Sequence, residues 1–166
     1  MHTPQLSIPG FPETRLKTYV LLISKQFLKG HPNEGKPTNF KEKILDGEKI
    51  HTVRSNPLYW IPIITRVQKG LAVLSLRQWA GKPYNSPQIE FAQLSESVGY
   101  QSFDIDRNDV VSIDNTHIPV GFNMKHFAKN DGLTYEDFQS WFNLNNSGKA
   151  EMTGVVIHFT DFRYSF

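Results

Sequence analysis

The sequence predicts an α+β domain, and three observations carry that expectation. Strand-length apolar runs recur at residues 16–24, 71–79 and 153–164, the last two alternating with a period of two. Helix-start signals stand between them: Asn39 with Glu42, and Thr134 with Asp137, each ahead of an apolar stripe. The chain has 166 residues, 39% hydrophobic and 13% aromatic, which suits one folded domain with a core of its own rather than a disordered tail.

Taken in order, residues 1–15 hold Pro4, Pro9, Gly10 and Pro12 and read as a loose arm ahead of a single domain at 16–166. The first strand rests on the run from Tyr19 to Ile23. That run is also the longest uninterrupted apolar stretch, far short of a membrane span. Gly30, Pro32, Asn33 and Gly35 mark a loop, in which His31 reads as exposed. A helix over 39–46 follows, with Phe40, Ile44 and Leu45 as its stripe, and Gly47 can end it because it takes positive φ freely. Ile50, Thr52 and Val53 are β-branched and favour a strand. Ser55-Asn56-Pro57 reads as a turn. Tyr59 and Trp60 after it offer either a stacking face for a base or ordinary half-buried packing.

Leu71, Val73, Ser75, Arg77 and Trp79 share one face of the next strand. Gly81-Lys82-Pro83-Tyr84 is a turn whose base and aromatic suit a pocket rim, and Ile89, Phe91, Gln93 and Leu94 belong to another strand. Asp104, Asp106 and Asn108 have the spacing of a calcium loop, but Asp109 and Asn115 occupy the positions that need Gly and Glu. A charged hairpin between strands 102–106 and 110–113 is expected there instead. Two helices follow, at 122–130 and 135–144. The second is capped by Thr134 and carries Tyr135, Phe138, Trp141 and Phe142 on one face.

The composition narrows the function. There is no Cys, which excludes disulfides and thiolate metal sites and fits a reducing cytosol. The six His make no zinc-type pair, no basic-then-apolar leader is visible at the N-terminus, and neither metal nor cofactor is expected. The net charge of +2 hides an asymmetry: residues 1–82 carry 13 basic and 5 acidic side chains, residues 83–166 carry 5 and 11. Such a basic half fits an anionic partner, and equally an attraction between the two halves within one fold.

The densest polar pattern is Gly47-Glu48-Lys49-Ile50-His51-Thr52-Val53-Arg54. Strand alternation puts Thr52 and Arg54 on one face, so Lys49 joins them only from an irregular turn before the strand begins. Read bare, the pattern is also a helix stop followed by a strand with solvated charges. Gly47, Lys49 and Arg54 match the G-x-K-x-x-x-x-R core of the ASCH domain, a member of the PUA-like superfamily, and on these residues the chain resembles that family. With Thr52 in place of the Glu found in many members, it is similar to the small bacterial ASCH proteins that hydrolyse N4-acetylcytidine.

That resemblance implies a PUA-like, mostly antiparallel β-barrel with two or three flanking helices and a pocket floored by the motif strand. It implies Lys49 as base, Thr52 as nucleophile and a downstream carboxylate, which falls by local pattern on Asp131, one methylene shorter than the family's Glu. Arg54, Tyr59, Trp60, Trp79 and Tyr84 are the expected substrate-binding residues. The partner implied is a nucleoside or RNA, in the cytoplasm and away from membranes. The activity implied is hydrolysis of an N-acylated cytidine-like amide, with a non-catalytic RNA or modified-base reader as the alternative.

Overall fold

The computed structural model describes residues 16–106, 111–118, 123–144 and 151–166, so the expected arm at 1–15 and the tip of the 102–113 hairpin lie outside the described residues. Along the chain run β1 (Lys17–Leu22), α1 (Phe40–Leu45), β2 (His51–Ser55), α2 (Pro57–Gln68), β3 (Ala72–Trp79) and β4 (Gln88–Leu94). They are followed by β5 (Gly99–Ile105), β6 (Val111–Ile113), β7 (Thr116–His117), α3 (Met124–Asn130), α4 (Tyr135–Trp141) and β8 (Met152–His158). The α+β class holds. The strands form two sheets, β1-β3-β4 and β2-β8-β5-β6-β7, and every described pairing is antiparallel except β1 with β3. The strand pairing described is open at β1, β4, β2 and β7, and no ladder closes the sheets into a barrel.

β8 is the axis of the larger sheet. Val155, Val156, Ile157 and His158 are all buried, so both faces of the strand are covered. Each fully buried aliphatic side chain of this kind contributes roughly 1.5–3 kcal/mol of transfer free energy. The expected alternation is therefore present in the backbone but not in exposure, and the strand ends at His158 rather than continuing to Tyr164. Beyond it the chain folds back and buries the Tyr164 ring.

The helix α2 departs from the expected turn at 55–57. Asn56 precedes it with φ +64°, Pro57 takes the first helical position, where its missing N–H costs nothing, and Ile63, Ile64 and Val67 face the core. Pro62 lies inside the helix and Thr65 Oγ1 donates to the Ile61 carbonyl at 2.8 Å. A twelve-residue helix thus begins where the sequence suggested only a turn.

Two smaller expectations are also corrected. Asn39 does not cap α1 with its side chain: at φ +56° it makes no side-chain cap bond, and the Phe40 N–H instead reaches Thr38 Oγ1 at 3.4 Å. His31 is buried, not exposed. It stacks on Phe27 with 4.5 Å between centroids, and its Nδ1 accepts the Asn33 N–H at 3.0 Å, which leaves Nε2 as donor to the Asp137 carbonyl at 3.1 Å. The Thr134 cap forms as expected, receiving the Asp137 N–H at 3.1 Å. Among the described residues no helix is long and apolar enough to cross a membrane.

Candidate functional site

The motif folds as a helix stop, an irregular link and a strand. Gly47 has φ +77° and its N–H donates to the Ile44 carbonyl, which closes α1. Glu48 and Lys49 then both donate their N–H groups to the Lys43 carbonyl, at 2.8 and 2.9 Å. Lys49 is thus held in the irregular link, the position it needs to meet the Thr52 face. The next residue, Ile50, donates its N–H to the Asn130 carbonyl at 2.9 Å and ties the link to the end of α3.

That tie brings Asp131 to Lys49. Lys49 Nζ lies 3.1 Å from Asp131 Oδ1 and 2.5 Å from the Asp131 carbonyl oxygen, and both side chains are buried. The carbonyl belongs to the C-terminal end of α3, where unpaired C=O groups attract a cation. Lys43 Nζ adds a second cation, 2.9 Å from the Gly132 carbonyl. Phe40 supplies a ring face 4.4 Å from Lys49 Nζ. Gly132 has φ +80°, and a Cβ there would stand 3.0 Å from Lys49 Cδ, so a larger residue would be strained in its backbone and would press on the lysine stem. Burial pushes the Lys49 ammonium below the ordinary lysine value, with Asp131 acting against that shift.

Thr52 and Arg54 complete the arrangement from β2. Lys49, Thr52, Arg54 and Asp131 line one cavity of about 340 Å³, walled by Phe40 and Trp141. That volume lies within the range of small-ligand pockets. No hydrogen bond within the described residues engages the Thr52 hydroxyl. Arg54 Nη2 donates to the Leu22 carbonyl at 2.6 Å, which bridges the two sheets, while its buried Nε has no partner among the described residues.

Beneath Asp131 lies a layer that no sequence signal announced. His51 is fully buried, with Nδ1 3.4 Å from Asp131 Oδ1, an electrostatic contact just short of a formed hydrogen bond. A carboxylate oxygen facing Nδ1 requires the proton on that nitrogen. Nε2 is then the acceptor for the Tyr164 hydroxyl at 2.8 Å, and that oxygen also accepts from Asn130 Nδ2 at 3.0 Å. Burial lowers the His51 value and keeps the ring neutral, and burial raises that of the Tyr164 phenol. Behind them His158 lies edge-on to His51 at 5.6 Å and donates from Nε2 to Gln101 Oε1 at 3.0 Å. Only the position of His51 inside the motif could have suggested this layer; Tyr164 and Asn130 carry no such signal.

The remaining expected residues divide. Trp79 and Tyr84 line a second, wider cleft of about 790 Å³ that shares Ile23, Ser24, Leu28 and Arg54 with the first. Tyr59 and Trp60 pair edge to face at 5.0 Å on α2 and line neither of these two cavities. Among the described residues no group of three or more His, Asp or Glu is placed to hold a metal ion. Compared with known proteins, the chain matches no family model, no curated protein and no solved structure.

Proposed function

We propose that the chain is an ASCH-type domain that recognises a nucleobase or nucleoside in the smaller cavity and hydrolyses an N-acylated cytidine-like amide. The observation that carries this reading is the convergence of Lys49, Thr52, Arg54 and Asp131 on one partly closed cavity. The mostly antiparallel strands fit the PUA-like architecture that goes with it, and Arg54 ties its two sheets together. The substrate class this reading requires is a cytidine acylated at N4, in the cytoplasm.

In this mechanism Lys49 takes the Thr52 proton as Thr52 Oγ bonds to the acyl carbon. Lys49 must enter as the neutral amine; its burial favours that form, and Asp131 Oδ1, 3.1 Å away, is the ready acceptor for the proton it sheds. Arg54 steadies the oxyanion. Collapse breaks the C–N bond, and Asp131 returns a proton to the departing amine. Water then cleaves the threonine ester, releasing the acid and restoring the hydroxyl. His51 acts as a positioning residue: its Nδ1–H faces Asp131 and the Tyr164 hydroxyl fixes the ring from the other side.

The test is release of cytidine from N4-acetylcytidine, followed by chromatography. Thr52→Val keeps shape and deletes the hydroxyl, and Lys49→Met deletes the base. Each is expected to lower turnover by about four orders of magnitude or more, and the double variant hardly further, because they act as one unit. Wild-type protein that binds the nucleoside yet leaves its amide intact through long incubation would decide for the non-catalytic reader. That alternative has one observation in its favour, the aromatic and basic lining of the wider cleft.

A further inference from the structure

The wider cleft is absorbed by no step of that mechanism, yet it opens onto the same cavity. Four cations, Lys25, Lys29, Lys82 and Arg54, line it against one carboxylate, Glu34, which receives the Gly30 N–H at 3.2 Å. Its rim carries Trp79 and Tyr84, whose rings lie 5.2 Å apart at 49°. Tyr84 is 88% exposed, and its backbone stands at φ +64°, a conformation a bulky residue adopts only under constraint.

The constraint is visible. Ala80 N–H reaches the Pro87 carbonyl at 2.8 Å, Gly81 N–H reaches Ser86 Oγ at 3.0 Å, and Asn85 N–H reaches the Lys82 carbonyl at 3.1 Å. The loop therefore holds an aromatic ring out in solvent, where it buries almost nothing of its own. Arg54 sits where the two cavities meet, with a planar fork only partly used: Nη2 is taken by Leu22, and Nε is buried without a partner among the described residues.

We propose that the wider cleft holds the nucleotide next to the reacting base, so that the substrate is a base within a single-stranded nucleic acid rather than a free nucleoside. This rests on the hydrolase reading and extends it. The linking phosphate sits at Arg54, between the cavities, where a guanidinium suits its geometry. The flanking base lies against Trp79 and Tyr84, because every base offers a π-face. Lys25, Lys29 and Lys82 follow the backbone outward as a charge-complementary wall.

Binding is measured on the intact chain carrying Thr52→Val, so that no probe is consumed. The probes are N4-acetylcytidine, a six-nucleotide RNA with one internal N4-acetylcytidine, the same RNA with cytidine, and a glutamate-rich peptide. The acetylated RNA is expected to bind at least about tenfold tighter than the nucleoside at low salt. Its log affinity should fall against log salt with a slope of roughly −0.7 for each phosphate held, while nucleoside binding stays flat. Tyr84→Gly relieves the positive φ as it removes the ring, so the fold keeps its urea midpoint while RNA affinity drops about fivefold or more. Lys82→Gln should lower the salt slope.

Equal affinity for nucleoside and RNA overturns the cleft proposal and leaves the hydrolase reading standing. Tight, salt-sensitive binding of both RNAs, with wild-type protein that never cleaves the amide, supports the cleft and overturns the hydrolase. A peptide that binds as tightly as the RNA overturns the nucleic-acid assignment, and no binding of any probe overturns both readings.

Discussion

Replacing Asp131 with Asn tests whether that carboxylate is what holds Lys49 inside the protein. The change keeps the size of the side chain and one acceptor oxygen but removes a charge 3.1 Å from Lys49 Nζ. Unit charges at that separation attract by about 5 kcal/mol at an effective dielectric of about 20. Lys49 is only 2% exposed, so water cannot take over. The loss has a ceiling, because the amine can give up its proton instead. Starting from the free-lysine value of 10.5, that costs at most about 4.8 kcal/mol at pH 7 and about 2.0 kcal/mol at pH 9, at 1.36 kcal/mol per pH unit. Burial already lowers the Lys49 value, and without Asp131 it falls further. The folded variant then binds fewer protons than the unfolded chain, so its stability rises with pH between its own lowered value and 10.5. Urea denaturation of parent and variant at both pH values reads this directly. The expected deficit is about 3–5 kcal/mol at pH 7, narrowing by up to about 2.7 kcal/mol at pH 9. A variant as stable as its parent at pH 7, or a deficit that ignores pH, refutes Asp131 as the counter-ion.

The other predictions concern the groups around that pair. Gly132→Ala places a Cβ 3.0 Å from Lys49 Cδ at φ +80°, so a loss of about 1–3 kcal/mol is expected together with lower turnover; an unchanged urea midpoint counts against the close packing. Tyr164→Phe removes the oxygen that serves both His51 Nε2 and Asn130 Nδ2, which should cost about 1–3 kcal/mol. Imidazole nitrogen shifts measured by NMR on the parent should show the His51 proton on Nδ1, and a proton on Nε2 would contradict the Tyr164 hydroxyl as donor to that ring. Burial above all lowers His158 to about 3, so the folded state prefers its neutral ring. The stability this gives is complete above the free-histidine value of 6.5 and is lost as pH falls toward about 3, on the order of 4–5 kcal/mol in all. His158→Gln should flatten the acid limb of the stability profile, and an unchanged limb would show that His158 does not govern it.

What the sequence determined is what neighbouring residues decide for one another. Alternation placed β3, the Thr134 hydroxyl placed the start of α4, and Gly47 placed the break from which Lys49 hangs. The link that frees Lys49 from the strand's alternation was a condition legible in eight residues, because helix stops and strand faces are local matters of φ and side-chain direction. Elsewhere local signals misled. Ser55-Asn56-Pro57 read as a turn although Pro57 suits a helix start, and core packing at Ile63, Ile64 and Val67 carries the helix on through Pro62. His31 read as exposed because nothing beside it in sequence foretells Phe27 and Asp137 closing over it.

The site itself was decided only by tertiary structure. Lys49 and Asp131 are 82 residues apart, and His51 and Tyr164 are 113 apart. One backbone bond from Ile50 to Asn130 and the fold-back after β8 bring them together. A sequence names the groups that can do chemistry; their charge state depends on how much water the whole fold removes from around them. That is why the lowered Lys49 value, the neutral His51 and the buried Arg54 Nε belong to the packed molecule alone.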